Sequence, residues 1–286
     1  MSMSHLLEVQ RINKGYPGFS LEDVSFSLPQ GYIMGFIGPN GAGKTTTIKA
    51  ILQMVTLDGG AIRILGEERS REDVSFREDI GVVMDSFLYV DSWTVRDVER
   101  ALAPFYSRWD SRRYADFCEK FSLPMKSWVK DLSRGMKVKL MVTAALCHDA
   151  KLLILDEPTS GLDPVARDEL MEILQEYIAD GSRSVLFSTH ITSDLEKIAD
   201  YITYIKQGKI VFSGEKDALM EAYVQVRGGE LPRELRQKLI GLREHGAGYE
   251  GMLPIGALGG LPKDAVAEPV SLDEIVIYMN REDMER

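Results

Sequence analysis

Hydrophobic and polar side chains alternate in two short segments near the start of the chain. In LLEVQRI, Leu7 and Val9 fall on one face, and in VSFSL, Val24, Phe26 and Leu28 do the same. A period of two is typical of a strand with one buried face. The segment NKGYPGF between them is rich in turn formers. The pattern therefore predicts two strands joined by a turn.

Continuous apolar segments follow further along the chain. YIMGFIG has the composition of a buried parallel strand, and KLLILDEP and SVLFSTH are also predicted to be strands. Helical periodicity marks TTTIKAILQMV, ITSDLEKIADYI and PVARDELMEILQEYIADG, the last closed by Gly181. YITYIKQGKIVFSG predicts a hairpin around Gln207 and Gly208. Strands and helices thus alternate, as in an α/β body.

Residues 88–150 interrupt this alternation with a mostly helical pattern that is rich in aromatic residues. One interpretation is that the rings form the core of a small helical subdomain. The other is that Phe87, Tyr89 and Trp93 lie in a groove that receives a cytoplasmic helix of a membrane partner. The aromatic residues of this segment are Tyr89, Trp93, Phe105, Tyr106, Trp109, Tyr114, Phe117, Phe121 and Trp128.

The C-terminal part of the chain changes character again. LPIGALGGLPKD is rich in glycine and proline, and SLDEIVIYMNRE predicts a final helix. We expect residues 1–214 to form the main domain and residues 215–286 a small α+β extension.

Composition narrows the functional classes. The chain of 286 residues has a net charge of −10 and a pI of about 5.1, which argues against a nucleic-acid partner. Its two cysteines, Cys118 and Cys147, are expected to be buried thiols in a reducing compartment. The sequence shows neither a signal peptide nor an apolar run of the length that spans a bilayer. Any membrane role is therefore expected to come through a separate partner.

The segment GPNGAGKT, residues 38–45, matches the pattern of a phosphate-binding loop. Its glycines allow the backbone N–H groups to approach phosphates, and the following helix adds positive potential at its N-terminus. Lys44 is expected to reach the β- and γ-phosphates of a nucleotide, and the Thr45 hydroxyl to bind Mg²⁺.

Acidic residues and a histidine end two other predicted strands. In LLILDE, Asp156 and Glu157 follow four apolar residues, which places them at the edge where open α/β sheets bind ligands. We expect Asp156 to hold Mg²⁺ and Glu157 to act as general base on the attacking water. His190 follows SVLFST and is predicted to sense the γ-phosphate.

LSRGMKVKL, residues 132–140, predicts a second phosphate site on the helical segment. Ser133 offers a hydroxyl and a helix N-cap, and Gly135 offers a backbone N–H that an anion can approach. Two sites so far apart in one chain cannot easily contact the same nucleotide. A head-to-tail pair of subunits instead brings Ser133 of one copy to the Lys44 loop of the other. Two-fold symmetry then gives two ATP molecules per dimer.

Taken together, these residues give the chain a family resemblance. From residue 5 to about 215 it resembles ATP-binding cassette (ABC) transporter ATPase subunits of the bacterial exporter type, including bacitracin-export and YtrB-like ATPases. Tyr16 matches the aromatic residue that stacks on adenine, and SGLD, ending at Asp163, matches the loop that crosses the dimer interface. Asp156, Glu157, His190, Ser133 and Gly135 match the other family motifs. The matched phosphate loop and the start of its helix comprise Gly38, Pro39, Asn40, Gly41, Ala42, Gly43, Lys44, Thr45 and Thr46.

The resemblance implies an α/β fold with a P-loop NTPase core. Such a core combines a RecA-like sheet with an antiparallel β subdomain, the helical insertion and the C-terminal α+β extension. It also implies an ATPase that uses ATP and Mg²⁺ and powers transport, with a lean toward export, through a separate transmembrane permease. The pair is expected to be a homodimer or a heterodimer with a paralogous ATPase. We expect a cytoplasmic protein held at the inner face of the cell membrane by its permease.

Three positions in two motifs depart from the family pattern. The family reads Leu-Ser-Gly-Gly-Gln where this chain has Arg134 and Met136 at the third and fifth positions. The family also has Gln or Glu nine residues before the Thr of its LTV segment, where this chain places Asp85 before Thr94. Asp85 is a candidate for nucleotide and Mg²⁺ contact, but its shorter, charged side chain predicts a coupling role with weak metal binding.

Two other functional classes compete with this prediction. A regulatory or translation-associated ABC ATPase works without a membrane partner, but such proteins commonly carry two cassettes, and this chain has one phosphate loop and one LSRGM segment. A P-loop kinase or GTPase would give LSRGM and His190 no role, and the sequence has no NKxD-like guanine-binding segment.

Overall fold

The computed structural model describes residues 4–68, 75–246 and 248–281. Contacts divide the chain into two compact units. The first comprises the chain up to His190 together with Thr203–Phe212, and the second comprises Ile191–Ile202 and the chain from Ser213 onward. This is a division by packing, and the domain boundary after residue 214 stays a prediction.

Strands and helices follow one another through the first two thirds of the chain. The strands are β1 (His5–Tyr16), β2 (Phe19–Pro29), β3 (Ile33–Ile37), β4 (Gly59–Ile64), β5 (Glu67–Glu68), β6 (Ile80–Val83), β7 (Leu152–Asp156), β8 (Ser184–Thr189), β9 (Tyr201–Lys206) and β10 (Lys209–Glu215). The helices are α1 (Lys44–Ile51), α2 (Val95–Leu102), α3 (Ser111–Lys120), α4 (Arg134–Leu146), α5 (Pro164–Ile178) and α6 (Thr192–Ile198).

A six-stranded sheet carries the phosphate loop, with strand order β10-β9-β3-β8-β7-β6. Strands β3, β8, β7 and β6 pair in parallel. Every residue of β3, β7 and β8 is buried, which explains their continuous apolar sequences. The parallel arrangement brings the carboxyl ends of these strands to one edge of the sheet.

A second, antiparallel sheet has the order β2-β1-β4-β5. Leu7 and Val9 on β1 and Val24, Phe26 and Leu28 on β2 are buried, so the faces that the alternation predicts are confirmed. The hairpin is confirmed as well, since β9 and β10 are joined by Gln207 and Gly208, both with positive φ.

The segment predicted to be helical contains α2, α3 and α4. Tyr114 and Phe121 lie in its core, whereas Phe105 and Trp128 are exposed, so the aromatic residues do not all serve packing. Cys118 and Cys147 are buried free thiols, as predicted. Burial raises the pKa of the Cys118 thiol to about 12, which keeps it protonated and unreactive at neutral pH.

Two predicted helix ends are wrong. Helix α1 ends at Ile51 and does not include QMV, because Leu52 caps it and Gln53 takes a left-handed conformation with φ of 56°. Helix α6 ends at Ile198, and Tyr201 and Ile202 belong to β9. The next residue, Ala199, is extended, so the chain has left the helix before the strand begins.

The second unit is of the α+β type that the sequence predicts. It contains α7 (Lys216–Glu221), β11 (Tyr223–Gly228), α8 (Arg233–Arg236), β12 (Ile240–His245), β13 (Gly248–Pro254), β14 (Val266–Pro269) and the predicted final helix α9 (Leu272–Arg281). Its sheet has the order β12-β13-β11-β14. Val226, Leu235, Leu239, Tyr249 and Leu253 form a core cluster there.

Helix α6 belongs to this second unit by its contacts with α9. Thr192 Oγ1 donates a hydrogen bond to Asp273 Oδ1 over 2.8 Å. The backbone N–H of Leu272 donates to Glu196 Oε1 over 2.6 Å. Both bonds join the first turn of α9 to α6.

Candidate functional site

The glycine-rich loop joins β3 to α1, as the sequence predicts. Gly43 caps α1 with a φ of 115°, a conformation that glycine adopts at little cost. A Cβ atom there would lie 2.7 Å from Leu21 Cδ2, so a larger residue would clash as well as strain the backbone. The tight turn brings backbone N–H groups and a helix N-terminus together, which is the arrangement that binds phosphate.

Lys44 is the first residue of α1 and is only 7% exposed. Its Nζ donates to the carbonyl oxygens of Gly38 over 2.8 Å and Pro39 over 3.4 Å. The same Nζ lies 3.6 Å from Glu157 Oε1. A phosphate in the loop would therefore meet an ammonium group that the protein already holds in place.

Asp156 ends β7 and is fully buried. Thr45 Oγ1 donates to its Oδ2 over 2.8 Å, and Ser188 Oγ donates to its Oδ1 over 2.9 Å. Burial raises the pKa of Asp156, the two hydrogen bonds oppose that shift, and the nearby carboxylates of Glu157 and Asp85 add to it. A cation near this carboxylate would relieve both the burial and the repulsion.

Glu157 follows Asp156 with an unusual backbone conformation, a φ of 53°. Its N–H donates to the carbonyl of Ser188 over 2.9 Å. Its Oε2 lies 2.7 Å from His190 Nδ1. Left-handed conformations of residues other than glycine are costly and cluster at functional sites. The backbone thus directs this carboxylate toward Lys44 on one side and His190 on the other.

The LSRGM segment begins α4. Ser133 is its N-cap, and the Ser133 hydroxyl accepts a hydrogen bond from the Met136 N–H over 3.2 Å. A Cβ atom at Gly135 would lie 3.4 Å from Leu162 Cδ2, so this glycine packs against the SGLD loop. Both residues lie at a helix N-terminus, as predicted.

Asp85 lies just beyond β6 and is exposed. Its Oδ1 is 3.5 Å from Arg134 Nη2. A cavity of about 280 Å³ is lined by the polar residues Asp85, Arg134, Lys137, Glu157 and Ser160 together with apolar side chains. These apolar side chains belong to Val83, Met84, Phe87, Leu132, Val138 and Met141, with Pro158 completing the set.

Tyr16 and Asp163 lie at the ends of their elements. Tyr16 ends β1 with a ring that is 42% exposed, and Lys14 Nζ lies 5.5 Å from the ring centroid. Asp163 caps α5, and its Oδ1 accepts hydrogen bonds from the N–H groups of Val165 and Ala166, both over 3.0 Å. The exposed Tyr16 ring can stack on a flat ligand. The Asp163 carboxylate, by contrast, also caps the N-terminus of α5.

The fold brings Lys44, Thr45, Asp156, Glu157 and His190 together at the carboxyl edge of the parallel strands. Sequence reasoning missed Ser188, which donates to Asp156, and the contact between Arg134 and Ser160. Ser188 could have been found, because alternation along β8 puts it on the same face as His190, two residues later.

Comparison with known proteins agrees with this geometry. The family model described as "ABC transporter" matches residues 21–160. The chain is 34% identical over 215 residues to the lantibiotic transport ATP-binding protein SrtF of Streptococcus pyogenes, covering 74% of this chain and 92% of SrtF. It is 32% identical over 254 residues to the Nod factor export ATP-binding protein I of Cupriavidus pinatubonensis, covering 85% of this chain and 78% of the other.

A solved structure described as the ATP-binding subunit of an ABC transporter matches with a TM-score of 0.69 and 31% identity. The match covers 75% of this chain and 91% of the other. The fold and the site define a P-loop ATPase of the cassette type. The chain belongs to the ABC transporter family of ATP-binding proteins, and it is an ATPase that acts in transport.

Residues 4–68, 75–246 and 248–281 lack two further features. No helix in those ranges combines the length and the apolar composition needed to cross a membrane. Nor do three or more His, Cys, Asp or Glu side chains cluster there in a way that could hold a metal ion.

Proposed function

We propose that this protein hydrolyses Mg·ATP between two ATPase subunits arranged head to tail and so powers a separate transmembrane permease. The observation that carries the proposal is the position of Glu157. It lies 3.6 Å from Lys44 and 2.7 Å from His190 at the edge of the phosphate loop. A carboxylate held between a phosphate-binding lysine and a histidine is suited to act on water at the terminal phosphate.

In this proposal each nucleotide contacts two subunits. One subunit offers Tyr16 for the adenine and the loop from Gly38 to Thr46 for the phosphates. The other offers the Ser133 hydroxyl and the Gly135 N–H to the γ-phosphate, and Asp163 lies at the interface. The N-terminus of α4 supports this role, because it combines N–H donors with favourable potential for an anion.

Magnesium fits the oxygen donors of the site. Thr45 supplies a hydroxyl and Asp156 a carboxylate, the types of ligand that Mg²⁺ prefers alongside water and phosphate oxygens. The buried Asp156 carboxylate, with its raised pKa, also gains from a nearby positive charge. When bound, the ion would neutralise charge on the phosphate oxygens. Asp85 is proposed as a weaker contributor.

The chain's own residues explain how the attacking water would be activated. The Glu157 carboxylate accepts the proton of the water as the water oxygen bonds to the γ-phosphorus and ADP leaves, and His190 holds that carboxylate in position through Nδ1. Lys44 remains beside the phosphates, where its positive charge stabilises the negative charge that develops in the transition state. The strained backbone at Glu157 fixes the direction of the carboxylate before the substrate arrives.

The names of two relatives support transport, and one of them supports export. SrtF is named for lantibiotic transport and the Cupriavidus protein for Nod factor export. We propose a cytoplasmic subunit held at the inner face of the cell membrane by a permease. For the proposed docking groove near Phe87, Tyr89 and Trp93, the support is that Phe87 lines the cavity described above. Phe87 and Tyr89 also pack edge to face, with ring centroids 5.1 Å apart.

A regulatory ABC ATPase that works without a permease is the second candidate. Its catalytic site would be the same, so only the partner separates the two. Copurification of the protein with a chain carrying several membrane-spanning helices supports the transporter, and its consistent absence from membrane extracts supports the regulator.

The central test replaces Glu157 by glutamine. Glu157→Gln keeps the shape of the side chain but removes its basicity, so turnover should fall by about 10²- to 10⁴-fold while ATP still binds. ATP should then hold the subunits together, which sizing chromatography detects as a dimer. Glu172→Gln, the same change at an exposed position of α5, serves as the control. Turnover of Glu157→Gln at the level of the control would overturn the proposal.

A further inference from the structure

Asp85 and Arg134, two of the three positions that depart from the family pattern, face each other in the structure. Asp85 follows β6 and Arg134 begins α4, and 3.5 Å separates Asp85 Oδ1 from Arg134 Nη2. Their side chains are 58% and 61% exposed.

Arg134 also reaches the loop that follows Glu157. Its Nη2 donates to Ser160 Oγ over 3.0 Å. The stem of the arginine crosses Gly161, where a Cβ atom would lie 2.7 Å from Arg134 Cδ and 2.9 Å from Nε. The arginine therefore lies flat against the SGLD loop, and the glycine leaves room for it.

The SGLD loop is short and connected directly to Glu157. The Ser160 N–H donates to the carbonyl of Glu157 over 3.1 Å, and the Leu162 N–H donates to Thr159 over 3.1 Å. Asp85, Arg134, Ser160 and Glu157 line the same cavity. A movement of Arg134 would therefore displace Ser160 and, through the hydrogen bond from the Ser160 N–H, the backbone of Glu157.

We infer that Arg134 is a positioning residue for ATP hydrolysis, braced by Asp85 and acting on Glu157 through Ser160. The inference rests on the proposed role of Glu157. Asp85 holds the guanidinium by charge, and the guanidinium holds the Ser160 hydroxyl, which keeps the turn after Glu157 in place. Since Asp85 lies at the end of β6, this chain of contacts connects three segments of the first unit.

The charge of Asp85 acts mainly through Arg134. An exposed ion pair contributes little to the stability of the fold, because water screens both charges. Its effect should instead appear in turnover, where small displacements of a catalytic group are costly. In ATP hydrolysis measured without the partner, losing Asp85 should therefore matter mainly while Arg134 is present.

A double-mutant cycle on the full-length protein tests this dependence. Steady-state ATP hydrolysis is measured for Arg134→Gln, Asp85→Asn, the double variant and Ser160→Ala. Arg134→Gln should lower kcat by about threefold to tenfold with KM unchanged within about twofold. Asp85→Asn should lower kcat by about twofold to fivefold, the range that an exposed pair supplies. The double variant should be no worse than Arg134→Gln alone, and Ser160→Ala should resemble Arg134→Gln.

Two further variants sharpen the result. Arg134→Lys keeps the charge but lacks the planar fork, so it should keep the dependence on Asp85 and recover only part of kcat. Arg112→Gln, at an exposed arginine of α3, should behave as the wild type. Melting temperatures of all the variants identify any loss of folding.

Three outcomes would overturn the inference. These are an unchanged kcat in Arg134→Gln, losses in kcat that multiply in the double variant, and a change confined to KM. If Glu157→Gln is inactive while the losses multiply, only this inference fails. If Glu157→Gln hydrolyses ATP normally, the proposed function fails first.

Discussion

At the residue scale, the site is organised by charges that the protein holds close together. Lys44 Nζ lies between the carbonyl of Gly38 and the carboxylate of Glu157, and Asp156 is buried beside Glu157. A buried lysine and two adjacent carboxylates favour a ligand that carries both negative phosphates and a divalent cation. The proposed preference for Mg·ATP would therefore rest on these individual side chains.

Replacing Ser133 tests whether that ligand contacts two subunits. Ser133→Arg puts bulk and charge where the γ-phosphate of the opposite subunit should lie. ATP should still bind the monomer nearly normally through Tyr16 and Lys44, but no ATP-driven dimer should form. Nucleotide titration and sizing chromatography measure the two effects separately. Loss of binding to the monomer would place Ser133 in the same site as Lys44 and refute the head-to-tail arrangement.

Replacing Asp85 tests whether it binds metal. Its carboxylate is exposed and paired with Arg134, so a direct bond to Mg²⁺ would require movement or a bridging water. Asp85→Ala should keep the ATP affinity within about a few-fold and lose most of the stimulation by the membrane partner. Asp85→Gln should be active, because an amide oxygen can still accept a hydrogen bond from Arg134.

The measurements are titration of Mg·ATP and hydrolysis with and without the partner. A large loss of Mg·ATP affinity in Asp85→Ala, beside normal affinity in Arg112→Gln, would instead show that Asp85 is a direct metal ligand.

At the scale of elements, α4 connects the SGLD side of the site to β6. Ser133 caps its start, and His148 lies just beyond its end, only 2% exposed. The ring of His148 has Nε2 3.1 Å from the carbonyl of Ile80 on β6 and Nδ1 3.4 Å from the carbonyl of Ala144. It also stacks on Tyr106 with centroids 4.0 Å apart. The buried histidine thus adds a connection between the end of α4 and β6.

This histidine makes stability depend on pH. Burial lowers the pKa of His148 below its usual 6.5, while the carbonyls of Ile80 and Ala144 oppose the shift. Because the unfolded chain binds the proton more readily, this stability is present above about pH 6.5 and is lost as pH falls through the folded pKa. The melting temperature should therefore decrease between about pH 7.5 and 5.5.

His148→Gln should be less stable at pH 7.5 but should show a weaker pH dependence over the same range. His245→Gln, a change at an exposed position of β12, should keep the wild-type dependence. An equal slope in His148→Gln and the wild type would assign the pH dependence to other groups.

At the scale of the whole molecule, the chain builds two compact units, and the second is more than an added tail. Residues 191–202, which directly follow His190, are packed with residues 213 onward. Thr192 and Glu196 on α6 bond to Asp273 and Leu272 at the start of α9. Removing the C-terminal segment would therefore deprive α6 of its partners.

Truncation after Gly214 tests the hypothesis that residues 215–286 contribute to dimer contacts or regulation. We expect the shortened chain to bind ATP but to lose ATP-driven dimerisation or the coupling of hydrolysis to the partner. A chain that ends at Arg281 keeps all the described elements and is the control. A shortened chain that retains both hydrolysis and coupling would show that the segment is a solvated appendage.

The sequence by itself determined several features that depend on neighbours in the chain. The apolar segments of β3 and β7, the glycines before Lys44 and the Ser133 cap follow from local periodicity and turn chemistry, and the structure contains each of them. Helix ends were less certain, because Gln53 and Ala199 leave the helix without a glycine or proline to signal it. The family motifs then gave the candidate residues their expected roles.

Only the tertiary structure decided which of these residues meet. Thr45 and Asp156 are 111 positions apart, and Glu157 and His190 are 33 positions apart, so their contacts depend on the order of strands in the sheet. The bond from Ser188 to Asp156 and the pairing of Asp85 with Arg134 have the same origin. Local patterns specify which side chains a strand or loop presents, whereas packing of distant segments fixes the distances on which charge and hydrogen bonding depend.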